Sequence, residues 1–129
     1  MPVAIIPLYA ALLALLFIFL SLRVIRVRRE ERVALGDGGN VRLRRAMGVH
    51  ANFAEYVPLA LLLMAFIELN GLPGWLIHLL GVALLIGRLV HAYGVSQSNE
   101  NYRFRVFGMM LTFSTIGGSA LILLGALFF

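Results

Sequence analysis

The chain has 129 residues, 61% of them hydrophobic and 13% charged, and no cysteine. That is room for one domain, residues 1–129, with far more apolar surface than a soluble domain of this size can hide. The missing cysteines exclude disulfides, thiolate metal sites and a cysteine nucleophile, so any thiol chemistry needs a thiol brought by a ligand.

All eleven basic residues are arginine, and the formal charge is +5. Eight arginines fall between Arg23 and Arg45; the others are Arg88, Arg103 and Arg105. Such basicity suits nucleic acid in principle. Arginines confined to short loops between apolar runs instead follow the positive-inside pattern of membrane proteins, and no nucleic-acid partner is expected.

The first apolar run, Val3–Leu22, lacks the basic leader and small-residue cleavage site of a signal peptide and ends directly in arginines. It reads as a membrane helix with its N-terminus outside, long enough at about 1.5 Å per residue to cross a hydrocarbon core of roughly 30 Å. The helix is expected to continue over 3–32. Ala10 and Ala14 have the small-xxx-small spacing that permits close helix contact. Gly36, Asp37, Gly38 and Gly39 make a turn without Walker or dinucleotide spacing. Asn40 can cap the second helix, 41–69. Pro58 cannot donate to the carbonyl of Ala54, which predicts a kink. The turn 70–74 has no arginine, as expected outside. A third helix spans 75–95 with Trp75 at the outer interface, and Ser96–Asn101 is a polar loop. A fourth helix spans 102–129, with Gly117, Gly118 and Ser119 for close packing. The loop charges place both termini outside and both basic loops in the cytoplasm. The expected fold is an all-α integral membrane bundle of four transmembrane helices.

Within these spans the ionisable residues are the expensive ones. Glu55 lies fourteen residues from Leu69, about 21 Å at helical rise, inside the inner half of the hydrocarbon layer. A lone acid at the bilayer centre costs about 2.5–3.5 kcal/mol on insertion scales, so it needs a partner or a polar cavity. At 100° per residue, Arg45, Asn52 and Tyr56 fall within about 40° of one another, with Glu55 some 60° from Asn52. Arg88 and His91 share a face of helix three; an ion pair of Arg88 with Glu55 across the bundle is the structural reading of both. His50 reads as a packed or capping histidine. Arg103 and Arg105, taken alone, read as topology signals. No metal site is expected, because His50, His78 and His91 show no ligand spacing.

The segment Arg44-Arg-Ala-Met-Gly-Val-His-Ala-Asn-Phe-Ala-Glu-Tyr-Val-Pro-Leu59 resembles the second-helix signature of the MAPEG family, the membrane-associated proteins of eicosanoid and glutathione metabolism. That signature is an arginine-containing turn, then Asn-x-x-Glu, often Tyr, then Pro, matched here by Asn52, Glu55, Tyr56 and Pro58. Gly87-Arg88-Leu-Val-His91-Ala-Tyr93-Gly94 is similar to the family's third helix, and the bacterial branch is nearest in likeness. The resemblance implies a homotrimer with glutathione bound between neighbouring subunits in the cytoplasmic half, in a bacterial inner membrane. It implies that Glu55 receives the ammonium group of glutathione and Asn52 a peptide amide or carboxylate. Tyr56, Arg88 and His91 would line the same pocket, and Arg26 would reach the neighbouring subunit's ligand. Arg103 lies near the family's thiolate-stabilising arginine, with Arg105 as the alternate. Two positions depart from the pattern. Gly48 stands where the family often has arginine, with Arg45 on the same face one turn earlier, and Val95 stands where several members have tyrosine.

The implied function is a glutathione-dependent transferase acting on apolar small-molecule or lipid electrophiles, with peroxidase activity toward lipid hydroperoxides. Glutathione would supply the thiol as cofactor. A thiol attacks as its thiolate, and an arginine in a dry pocket stays charged and favours that form. Gly48 and Val95 favour a second reading, a non-catalytic family member that binds lipid or a partner protein. A small multidrug-type transporter shares the four helices and the intramembrane acid, but helix one has no charge between Val3 and Leu22.

Overall fold

The structure, a computed structural model, describes residues 3–129. Four helices follow in order: α1 (Ile6–Glu31), α2 (Val41–Leu69), α3 (Gly74–Ser96) and α4 (Tyr102–Phe128). Each contains a stretch long and apolar enough to cross a membrane. Short connections make neighbours antiparallel. One end of the bundle therefore carries the 70–73 turn, the start of α1 and the end of α4, and the other carries the two arginine-bearing loops.

The inner and outer roles of the helices differ. α2 packs against all three others, whereas α1 and α4 do not touch among the described residues. Leu13, Met64, Ile67, Ile77 and Leu84 form the dry centre and are fully buried. Leu15, Phe19, Leu22, Leu121 and Leu127 point outward, where a water-soluble bundle would carry charge. The core is narrow and the outside is greasy, as a lipid-facing bundle requires.

Close contact between α3 and α4 comes from glycines on facing turns. A Cβ on Gly108 would lie 2.6 Å from the Gly87 carbonyl oxygen and 2.7 Å from the His91 Cβ. A Cβ on Gly94 would lie 2.7 Å from the Phe104 Cβ. The sequence reading gave this task to Gly117 and Gly118, but a Cβ on either meets nothing within 4 Å, so they face away from the bundle; Ser119 is buried.

Caps fix the helix ends. Asn40 accepts a hydrogen bond from the Leu43 amide at 2.9 Å, the expected cap of α2. The glycine turn before it is a plain turn. Asp37 accepts from the Gly39 amide at 2.8 Å and from Arg44 at 2.9 Å, and Arg28 donates to the Gly36 carbonyl at 2.8 Å. The Gly39 amide and Arg44 hold the Asp37 carboxyl below its usual range.

α1 begins at Ile6 rather than at residue 3, and Glu68 explains where it starts. Ile5 has no side chain able to cap, so the first amides need another acceptor. Glu68, one residue from the end of α2, accepts from the amides of Ala4, Ile5 (2.6 Å) and Ile6 (2.8 Å). The pairing also suits the dipoles, since a carboxylate is disfavoured at its own helix C-terminus and favoured at the N-terminus of α1. Glu68→Ala should destabilise the protein by about 1–2 kcal/mol, read as a lower thermal midpoint in detergent. Hydrogen exchange at Ala4–Ile6 should accelerate in that variant; unchanged exchange would show that the carboxylate does not hold these amides.

Candidate functional site

The site grows from one buried charge. Arg88 sits eight residues before the end of α3, about 12 Å from the arginine-rich end at helical rise, and is 2% exposed. Its guanidinium donates to Asn52 Oδ1 at 2.6 Å and to Thr112 Oγ1 at 3.3 Å, and it approaches Met109 Sδ at 3.7 Å. The Phe53 ring centroid lies 5.9 Å away, at the distance of a cation–π contact. His91 Nδ1 faces the guanidinium at 3.5 Å, which makes Nδ1 the acceptor and leaves the ring proton on Nε2. None of the described carboxylates forms a salt bridge with Arg88. Its Nε is buried without an acceptor.

The expected pairing of Arg88 with Glu55 is therefore corrected: the guanidinium goes to Asn52. The helical geometry gives the reason. Phe53 is buried and Asn52 half-buried toward α3, whereas Glu55 lies on the exposed side of α2 and makes no ion pair among the described residues.

Beside Arg88 lies a cavity of about 220 Å³, lined by Gly48, Asn52, His91, Val95, Arg105 and Met109. Gly48 leaves the wall open, since a Cβ there meets nothing within 4 Å. Arg45, a turn earlier, does not fill the gap but closes the rim. It donates to the Val95 carbonyl at 3.0 Å and to Glu100 Oε1 at 2.8 Å. Arg105 grips the same carboxylate at 2.6 and 2.9 Å. The Glu100 side chain is 1% exposed, so a buried acid joins the start of α2 to the start of α4. Burial pushes the Glu100 carboxyl up, but the hydrogen bonds from Arg45 and Arg105 outweigh it and hold the group below its usual range. Two guanidiniums share one carboxylate, which leaves the rim positive.

The other expected site residues lie around this centre. Tyr56 is half-buried, edge-on to Phe113 at 5.3 Å. Arg103 is exposed and lines a separate outer groove with Tyr102, Val106, Phe107 and Met110. Of the two α4 arginines, only Arg105 faces the cavity. Arg26 is also outside it, in a groove between α1 and α3. His50 packs as expected, bonded to Ser21 at 2.9 Å and stacked on Phe17. His78 bonds to the Tyr9 hydroxyl at 2.7 Å. Sequence reasoning missed Glu100, Thr112 and Met109. Glu100 was legible in principle as the one acid in a loop flanked by Arg103 and Arg105.

A bundle of four membrane-length helices, with one buried arginine and a partly polar cavity toward one end, defines a polytopic membrane protein. The chain belongs to the MAPEG family, whose model matches residues 6–125. It is 44% identical over 109 residues to inner membrane protein YecN of Escherichia coli strain K12, covering 84% of this chain and 82% of the relative. The same figures hold for inner membrane protein YecN of Escherichia coli O6:H1 strain CFT073. No solved structure matches.

The Glu100 bridge makes a pH prediction. An acid whose value is lowered on folding contributes stability that is complete above its unfolded value, near 4.5, and is lost as pH falls through the folded value. Wild-type thermal stability should therefore fall as pH drops below about 5, and Glu100→Gln should flatten that limb. The substitution should cost about 2 kcal/mol at neutral pH, less than a fully buried pair because both arginines are partly exposed. Equal acid limbs in the two proteins would refute the bridge as the source.

Proposed function

We propose that this protein is a membrane-bound glutathione-dependent transferase, with peroxidase activity toward lipid hydroperoxides, working as a homotrimer in a bacterial inner membrane. The observation that carries the reading is Arg88, a buried guanidinium with no carboxylate partner among the described residues, whose contacts Asn52, His91 and Met109 line a polar cavity. An uncompensated buried charge is costly, and an anionic ligand is the partner that relieves it. Family membership and the inner-membrane name of the relatives support the same reading.

The residues present fit glutathione. Buried Nε atoms of Arg45 and Arg88 lack acceptors, which suits a ligand with two carboxylates. Glutathione supplies the thiol that the cysteine-free chain lacks. Arg88 and Arg45 take carboxylate charge, and Asn52 keeps its amide nitrogen for a peptide group while its oxygen holds Arg88. His91 offers its Nε2 proton to the same space. Arg105, always charged, places a donor where negative charge on sulfur would sit. Its placement in the cavity favours it over Arg103. An apolar electrophile enters from the lipid.

Two features support assembly. The cavity in one chain, about 220 Å³, falls below the roughly 300–1,000 Å³ of small-molecule sites, so a neighbour supplies the missing wall. Glu55 is exposed at membrane depth, where a second subunit or a ligand ammonium group relieves its cost. The positive-inside rule puts the arginine-rich end, and with it the site, in the cytoplasmic half.

Ultraviolet difference absorption of the thiolate tests the reading. Adding glutathione to detergent-purified protein should give a saturable thiolate signal. Arg105→Ala should weaken that signal tenfold or more, about the effect of removing one preorganised donor, and Arg103→Ala should weaken it less. Absence of both signal and calorimetric binding would leave the family fold without this chemistry.

A further inference from the structure

A second groove, about 310 Å³, opens between α1 and α3 on the outside of the bundle. Its inner length is apolar, with Leu16 and Phe19 of α1 facing Leu89 of α3. Its end near the basic loops carries Arg23, Arg26 and Ser96. Arg23 donates to the Ser96 hydroxyl, which itself donates to the Ala92 carbonyl. That chain anchors the guanidinium and uses one of its five N–H groups.

The charge at this end is unmatched. Several other arginines are engaged: Arg28 by loop carbonyls, Arg42 by Glu30 and Glu31, Arg44 by Asp37, Arg45 and Arg105 by Glu100; Arg29, Arg32 and Arg103 lie outside the groove and make no salt bridge among the described residues. Arg23 has no carboxylate partner among the described residues. Arg26 approaches only Glu30, at 4.0 Å, and Glu30 is bonded more closely to Arg42.

Glu55 of a second copy cannot match it. Phe17 packs on Phe53 and Ser21 bonds to His50, so Glu55 sits at the depth of about Leu16. That is ten residues, about 15 Å, from the level of Arg26. Copies related by rotation about the membrane normal keep the same depths, so the unpaired acid of one never meets these arginines of another. The span from Leu16 to Arg26 is also about half of a hydrocarbon core of roughly 30 Å, the depth of one leaflet.

We propose that the α1–α3 groove is a binding site for one anionic phospholipid, with its phosphate held by Arg23 and Arg26 and an acyl chain lying along Leu16, Phe19 and Leu89. The groove lies on a different face from the cavity and takes its ligand from the bilayer; Arg26, which the family resemblance gives to a neighbour's glutathione, is the one residue the two readings share. Native mass spectrometry of full-length protein from nanodiscs of phosphatidylcholine with or without phosphatidylglycerol tests it. Phosphatidylglycerol should be retained about tenfold or more over phosphatidylcholine, and Arg23→Ala/Arg26→Ala should remove the preference. Leu89→Trp, which keeps both charges and fills the apolar length, should also lower retention, whereas Arg29→Ala/Arg32→Ala, with equal charge loss outside the groove, should not. Inorganic phosphate and glycerol 3-phosphate should fail to compete. Equal retention of the two lipids, unchanged preference in the groove variants, or competition by the free phosphates would overturn the proposal. So would a changed oligomeric state in the groove variants without any lipid preference, because the groove would then be a contact between subunits.

Discussion

Inside a bilayer a polar group finds its partner within the protein or not at all, and Arg88 sets that demand most heavily in this chain. Its guanidinium is held by α2 through Asn52, by α4 through Thr112 and Met109, and by its own helix through His91. These contacts require α3 and α4 to approach closely, and the facing pair Gly87 and Gly108 allows it. Without that approach Thr112 could not reach Arg88. The packing of the bundle's arginine-rich half and the polarity of its cavity thus have one cause.

The two ends of the bundle solve the same problem differently. At the end with the 70–73 turn, Glu68 is buried and satisfied by three backbone amides. Both its oxygens are used in joining α1 to α2. At the basic end, the Glu100 carboxylate is buried and satisfied by two guanidiniums, of which that of Arg105 also lines a cavity. Backbone amides cannot be redirected without unwinding a helix, whereas arginine side chains can swing to an incoming anion. The first carboxylate is a fastening, and the second is placed to exchange partners.

Much of this was legible in the sequence and some was not. The four spans followed from hydropathy and loop charge, because length and apolarity alone decide which segments can cross a bilayer. The cluster of Asn52, Arg88 and His91 followed from helical angles and family resemblance. Partners far apart in sequence did not. Glu68 drew no reading from the sequence, because the amides it holds lie more than sixty residues away. Arg103 and Arg105 could not be ranked, since two residues on a helix differ by about 200° and nothing in the sequence gives the absolute rotation of α4. The same missing rotation put the packing glycines at 117 and 118 instead of 108.

Depth, which sequence does supply once two helices are registered, carries the last step. Glu55 and the Arg23–Arg26 pair are opposite charges exposed on one chain, and a sum of charges would pair them between subunits. The Phe17–Phe53 and Ser21–His50 contacts separate their levels by about seven to ten residues, or roughly 10–15 Å. In a membrane assembly that gap persists through every rotation about the normal. Each charge therefore needs its own partner at its own level. For Glu55, within the hydrocarbon, that partner is a cationic group carried by a ligand or a polar group of a neighbour. For the arginines, at the edge of the hydrocarbon, it is a phosphate of the lipid itself.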